Sequence, residues 1–529
     1  LFLPAANREA RPTPGLIGGW GARLRAALHP ADGLILVVVL TVAALRLLFL
    51  LTNQLQLSAD EMHYWDWSRR LDLAYYSKGP VVALLIAVSR SLVGDGQVGV
   101  RLPALLLGAL FVLLIYGHAR CRIGPGNALA LAGVVQLLPL VAGLGLAMTT
   151  DPPVLVCWTV ALIALAPAVR QGSPSAWLVY GLAAGIGVAA KYTSLLLPFG
   201  LLLAVPWLAC TRPLLRRPAF WCGQLLALAG LVPLLVWNAR HGWVNLAHNA
   251  GHLGVTAGFA PAQLLLGPLE LVGGQLLLFG PITAPLLLLA VGMVLPAAWR
   301  RRDPYPLLLA ALAALLLLVC GLVSLRRTVY ANWPLPAGLI AILLLVEAWP
   351  QLVGSLRLRR WLVGGTGLNA LLFGLALLPF YGVRLGLAPS QLPTRRLVGW
   401  QELSAGLQRR EPQRLRSAAL LFTDRYTTAS ALAHGLARPP GTVFTVALGR
   451  GRMNQYDLWA RQDLPSQRGA HALIVLDEAT DPDPLRRLFA QLEPLPPLQV
   501  TVQEHPFRRY QLFYGHAYNG LPLPQPSRR

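Results

Sequence analysis

Apolar and polar positions divide this chain unevenly. From Leu34 to Phe380, apolar windows long enough to cross the bilayer core (~30 Å, about 20 residues each) follow one another with short polar breaks. Beyond Phe380 the apolar runs shorten and acids return: half of the 22 Asp and Glu residues lie between Glu402 and Glu504. The pattern predicts a helical membrane domain over 1–383 and one water-soluble domain over 384–529.

Arginine placement gives the direction of threading, because basic loops near helix ends stay cytoplasmic. The clusters Arg23/Arg25, Arg120/Arg122, Arg170, Arg212/Arg216/Arg217, Arg300/Arg301/Arg302 and Arg357/Arg359/Arg360 are spaced for an even number of crossings between them. With all of them inside, eleven spans are expected: 33–52, 102–119, 127–148, 153–169, 176–190, 194–210, 219–237, 277–298, 306–323, 334–349 and 361–380. The first reads as a retained span, since its apolar run exceeds a signal-peptide core and no small-residue cleavage site precedes Asp60. Segments 80–92 and 262–275 are too short to cross comfortably and are expected to lie in the outer interface. The soluble tail then falls outside the membrane, on the periplasmic side of an inner membrane. It alternates strand-like runs (418–423, 442–447, 472–476, 498–502, 510–514) with helix-like ones (427–436, 484–492), which predicts a small α/β domain.

Apolar residues make up 55% of the chain and charged residues 13%, which excludes an ordinary soluble protein. The net charge of +23 could suggest nucleic acid, but no nucleic-acid motif is present and arginines facing anionic lipid account for it. The five cysteines lie in or beside apolar segments and the tail has none, so neither a disulfide framework nor a Cys-based zinc site follows.

Charges on the outer face are few, and ionisable groups at membrane depth are functional candidates. Asp60 and Glu61 open the run DEMHYWDWSRRLDLAYYSKGP, whose Lys78 is one of only two lysines in the chain, the other being Lys191. Asp151, Lys191 and the pair Arg326/Arg327 sit at predicted outer helix ends. Carboxylates suit a general base for a hydroxyl, and cations suit a departing phosphate. Together they describe glycosyl transfer from a lipid-linked sugar phosphate. Each group also has a plainer reading: Asp60 and Glu61 as solvated loop acids, Asp151 as a cap for the helix starting at Pro152, Lys78 as an interface anchor. Trp65, Trp67, Tyr75 and Tyr76 read as an interfacial aromatic belt. His248 and His252, four apart, read as an ordinary polar loop rather than a metal pair. Arg46, inside the first span, is expected to snorkel or to meet a neighbouring helix.

The first-loop DE followed by YWDWS, then YYSKGP and GVRLP, resembles the bacterial family 39 glycosyltransferases. These belong to the C-type membrane superfamily that includes protein O-mannosyltransferases and the lipid A aminoarabinose transferase. The TTD before Pro152, the AKY around Lys191, YANWP at 330–334, and DRYTTASALAH and GRMNQYDLW in the tail are similar to the same pattern. The resemblance implies a polyprenyl-phosphate sugar donor, a glycolipid or protein acceptor, and inversion at the anomeric carbon. It implies Asp60 as the base, Asp151 as a second acid positioning acceptor or metal, and Lys78 on the donor phosphate. Glu61 is expected beside Asp60 in the catalytic set, with Lys191, Arg326, Arg327 and Tyr330 binding substrate. Where aminoarabinose transferases carry an acid before the matching lysine, Ser77 stands here, so a divalent metal is a possibility only. The competing class is a transporter or flippase of a lipid-linked saccharide. A transporter places its site near mid-membrane between repeats, whereas these charges crowd one face and no matching halves are seen.

Overall fold

Prolines open many of the helices in the computed structural model, which describes residues 29–52, 55–251, 261–381, 391, 393–448 and 453–524. Pro125, Pro139, Pro152, Pro174, Pro218 and Pro304 sit in first turns, where the missing N–H has no partner to lose. The chain runs through α1 (Pro30–Thr52), two short helices α2 (Ala59–Ser68) and α3 (Val81–Val93), and α4 (Gln97–Ile123). It continues through α5 (Pro125–Gln136), α6 (Pro139–Leu144), α7 (Asp151–Arg170), α8 (Pro174–Ala190), α9 (Leu196–Trp207), α10 (Pro218–Ala229), α11 (Val232–Arg240) and α12 (Val244–Gly251). After these come α13 (Gln263–Phe279), α14 (Thr283–Arg301), α15 (Pro304–Ser324), α16 (Leu335–Gly354) and α17 (Leu356–Leu377).

Among the described residues, 8 helical segments are long and apolar enough to cross a membrane, each overlapping an expected span. The protein is therefore a multi-span membrane protein. The other expected spans, at 127–148, 176–190 and 194–210, are shorter or broken. The first of these splits into α5 and α6 because Leu138, ahead of Pro139, adopts extended backbone. Arg46 of α1 meets this break: it is buried and donates to the Val141 carbonyl at 2.9 Å. Gly145 makes room for it, since a Cβ there would lie 2.7 Å from the guanidinium. One boundary needs correcting. The span expected at 277–298 merges two helices, because Gly280 at φ +86° ends α13 and α14 starts at Thr283. Of the two segments expected in the interface, α3 shows an exposed stripe of Leu84, Val88 and Leu92 and buries the opposite face, Val82, Ala83 and Ile86. The boundary expected at 384, and the residues Arg23, Arg25 and His252, lie outside the described residues.

The tail contains α18 (Trp400–Arg410), α19 (Pro412–Ser417), α20 (Tyr426–Gly435) and α21 (Gln455–Asp463). Its strands are β1 (Leu420–Thr423), β2 (Val443–Thr445), β3 (Ala472–Asp477), β4 (Phe489–Val502) and β5 (His505–Tyr518). They form one five-stranded sheet in the order β2-β1-β3-β5-β4. β2, β1 and β3 are parallel, with α20 crossing between β1 and β2, and β4–β5 is an antiparallel hairpin closed at Gln503 and Glu504, both at positive φ. The helix expected at 484–492 is a second correction. A 3-10 turn over Asp483–Arg487 leads into β4, where Phe489 pairs with Tyr518. The apolar spacing Leu485, Leu488, Phe489, Leu492 imitates a helix, and Pro494, Pro496 and Pro497 are tolerated because β4 is an edge strand.

The aromatic belt expected in the first outer loop is also corrected. Trp65, Trp67 and Tyr75 are buried in a core that the loop shares with Leu403, Leu421, Leu432, Tyr456 and Tyr510 of the tail. Trp67 and Tyr75 stack with centroids 4.4 Å apart. Their large apolar area is removed from water by the tail rather than lodged among lipid headgroups.

Candidate active site

Asp60 and Glu61 are neighbours in the first turn of α2, and the ~100° rotation between adjacent helical residues sends their carboxylates apart. Glu61 closes a capping box: its backbone N–H donates to Ser58 Oγ, and its Oε2 accepts from the Ser58 N–H at 2.9 Å. Arg101, from the first turn and a half of α4, donates Nε to Oε1 at 2.8 Å and Nη2 to Oε2 at 2.9 Å. The Met148 N–H adds a second donor to Oε1 at 3.0 Å. Arg101 also donates Nη1 to the Leu55 carbonyl and Nη2 to the Gln56 carbonyl. Burial alone would raise the Glu61 pKa, but the Arg101 charge and hydrogen bonds hold it below the usual glutamate value. Glu61 is 0% exposed and does not line the cavity that Asp60 faces; its bonds brace α2 against α4.

Asp60 is different. It is exposed and lines a cavity of about 750 Å³. Tyr426, the first residue of α20, donates its hydroxyl to Asp60 Oδ1 at 3.1 Å. Lys78, Asp151, Lys191 and Tyr330 line the same cavity, so five of the eight expected site residues converge there from distant parts of the chain.

Lys78 sits in a loop held on several sides. Tyr75 N–H donates to the Lys78 carbonyl at 2.9 Å, Asn249 of α12 reaches the Ser77 carbonyl at 3.4 Å, and Gln455 of α21 accepts from the Tyr76 N–H at 2.7 Å. The fully buried Asn245 donates to the Tyr75 carbonyl. Gly79 explains the SKGP run: a Cβ there would lie 1.7 Å from the Ala189 carbonyl oxygen, so only glycine lets the loop rest on the end of α8. Two residues further on, Lys191 leaves α8 in extended backbone and places Nζ 2.8 Å from Asp151 Oδ1. Asn332 donates to Asp151 Oδ2 at 2.7 Å. The Asp151 carboxylate therefore links α7, the end of α8 and the YANWP turn; it does not cap its own helix.

The structure does not bring Arg326 and Arg327 together with the other expected site residues. Both are exposed and neither lines the cavity; Arg327 donates to the Gly251 carbonyl at the end of α12. His248, expected in an ordinary polar loop, is on the cavity wall with its ring 4.7 Å from that of Tyr76. Residues not singled out from the sequence are Asn332, Tyr426, Asn454, Gln455 and Arg396, all on the cavity wall. The signal for four of them was the similarity of their runs, YANWP, DRYTTASALAH and GRMNQYDLW; Arg396 carried none. Among the described residues, no group of three or more His, Cys, Asp or Glu gathers to hold a metal ion. One flank of the cavity is apolar, made by Leu195, Leu196 and Phe199 on one side and Val319, Cys320 and Val323 of α15 on the other. An exposed carboxylate, two lysines and an apolar flank suit an amphiphile with an anionic head.

Comparison with known proteins gives a consistent result. Residues 77–237 match the family model described as dolichyl-phosphate-mannose-protein mannosyltransferase. The chain is 28% identical over 361 residues to the lipid A galacturonosyltransferase RgtD of Rhizobium johnstonii, covering 66% of this chain and 72% of that one. It is 32% identical over 195 residues to the undecaprenyl phosphate-alpha-4-amino-4-deoxy-L-arabinose arabinosyl transferase of Pseudomonas aeruginosa, over 35% of each chain. The fold resembles that of ArnT from Cupriavidus metallidurans bound to undecaprenyl phosphate, with a TM-score of 0.57, 16% identity, and coverage of 91% of this chain and 97% of that one.

Proposed function

The chain belongs to the C-type membrane glycosyltransferases of the protein O-mannosyltransferase and aminoarabinose transferase group, and from that premise we propose how it works. It moves a sugar from a polyprenyl-phosphate donor to an acceptor hydroxyl at the outer face of the inner membrane. The observation that carries this reading is the meeting of Asp60, Lys78 and the Asp151–Lys191 pair in one cavity with an apolar flank.

Asp60 takes the proton of the acceptor hydroxyl as its oxygen attacks the anomeric carbon. The bond from that carbon to the phosphate oxygen breaks, and one displacement inverts the configuration. The electron pair leaves on the polyprenyl phosphate, whose growing charge is met by the Lys78 ammonium. Asp151, held by Asn332, keeps Lys191 at the cavity wall, and Tyr330 flanks the same space. The prenyl chain lies against the Leu195–Phe199 and Val319–Val323 flank. By analogy with the galacturonosyl and arabinosyl relatives, the donor carrier is undecaprenyl phosphate and the acceptor is a lipid A-type glycolipid. The outer domain, taken as beginning near 384, is periplasmic.

Asp60→Asn tests the reading. Losing a general base costs about 10²–10⁴-fold in rate, so the variant should insert and fold normally yet transfer almost nothing. Near-normal turnover of purified Asp60→Asn on polyprenyl-phosphate sugar and glycolipid would remove Asp60 from the chemistry.

A further inference from the structure

The hydrogen-bond partner of the exposed Asp60 carboxylate belongs to the outer domain. α20 packs along α2, and its residues Tyr426 and Ser430, four apart, face the same way. Ser430 Oγ donates to the Ala59 carbonyl at 3.0 Å, which fixes the register of α20 against the residue just before Asp60. One turn earlier on α20, the Tyr426 hydroxyl reaches Asp60 Oδ1 at 3.1 Å. The Tyr426 ring rests 5.1 Å from that of His63, the next turn of α2, so the phenol approaches from a defined side. Further contacts anchor the arrangement: Tyr456 donates to Asp66 Oδ2 at 2.7 Å, and Arg70 pairs with Asp463 at 2.5 Å. The same domain holds the Lys78 loop through Gln455 and the Tyr76 N–H.

We propose that Tyr426 is a positioning residue for the base Asp60, so that docking of the outer domain aims the catalytic carboxylate. The inference rests on the reading of Asp60 as base. An exposed aspartate in a first helical turn has free rotamers, and a base acts only within hydrogen-bond reach of the proton it takes. A hydroxyl donated to Oδ1 from a registered helix holds the carboxylate in one orientation over the cavity. Tyr426 does not touch the reacting atoms; it acts through Asp60.

The test is steady-state transfer by purified full-length Tyr426→Phe, which keeps the ring against His63 and removes only the hydroxyl. The expected result is a kcat lower by about 10- to 100-fold, the size of a lost charge-assisted hydrogen bond, with donor KM and melting temperature unchanged. In an Asp60→Asn background, where no charged carboxylate remains to be aimed, adding Tyr426→Phe should change residual transfer by less than about 2-fold, since the two positions act as one unit. Wild-type kcat in Tyr426→Phe overturns the inference, as does a loss expressed in KM or in melting temperature alone. A full further loss in the Asp60→Asn background overturns it too. The underlying reading fails separately, if Asp60→Asn on its own retains turnover.

Discussion

Glu61→Gln separates the two adjacent carboxylates by what each loses. The Glu61 carboxylate accepts two Arg101 bonds and the Ser58 and Met148 N–H groups, with Arg101 1% and Glu61 0% exposed. A glutamine has one acceptor oxygen in place of two. Whichever way its amide lies, an NH2 group faces an Arg101 nitrogen and one backbone N–H. The guanidinium is left buried without its counter-charge, for which breaking a buried pair costs about 3–5 kcal/mol. That is roughly two to three and a half decades in the folding equilibrium, since each decade is ~1.4 kcal/mol. Replacing both partners, as Glu61→Gln with Arg101→Met, should cost less than Glu61→Gln alone, because no charge is stranded. The assay is denaturant unfolding of detergent-solubilised protein followed by tryptophan fluorescence, with turnover measured per folded molecule. Glu61→Gln should be strongly destabilised, while the molecules that remain folded turn over within a few-fold of wild type. Wild-type stability combined with lost turnover would refute the bracing role and return Glu61 to the catalytic set.

Three other outcomes follow from the site and the tail. Lys78→Ala should raise donor KM and lower turnover, by the ~1.5–3 kcal/mol of a charge-assisted contact, while Lys78→Arg should keep only part of the activity. Identical donor dependence in wild type and both variants would make Lys78 an anchor. Gly79→Ala forces the Lys78 loop off the Ala189 carbonyl, and displacing a binding group by about 1 Å should cost on the order of 10²-fold in turnover; unchanged kinetics would show that the loop yields elsewhere. In the tail, burial raises the Asp457 carboxyl from 3.8 to about 6. The folded state therefore favours the protonated form, and this contribution is complete below the unfolded value near 3.8 and lost as pH rises through about 6. Asp457→Asn should gain stability relative to wild type between pH 4 and pH 8, by up to about 3 kcal/mol; parallel stability curves against pH would contradict this.

The membrane class was legible because hydrocarbon thickness imposes a length on apolar runs that needs no tertiary knowledge. The boundary at Gly280 was missed for the same reason: apolar residues continue on both sides, and only the backbone's left-handed turn divides them. Asp60 and Glu61 could be marked as a pair but not told apart. Deciding which one faces the cavity requires knowing that Arg101, 40 residues away, fills the space beside the other. Arg326 and Arg327 were placed on the correct helix end, yet a helix end does not say which way a long side chain leaves it. The tail's part in the site was least readable, since Tyr426 and Asp60 are separated by 366 positions and no local pattern links them. The aromatics of the first loop carried a composition common to membrane interfaces, and only the tail packed over them shows that they form a core.

That shared core has a temporal side. Its hydrogen bond from Tyr456 to Asp66 joins positions 390 residues apart. At about 5–20 residues per second, the first outer loop waits roughly 20–80 s after its own synthesis before the residues that cover it are made. During that interval Trp65, Trp67 and Tyr75 lack the tail residues that cover them in the folded protein. The loop's core is therefore complete only once the tail has been made and packed over it. Slowing synthesis of the tail should lengthen the time before the loop is covered, without altering any residue of the cavity.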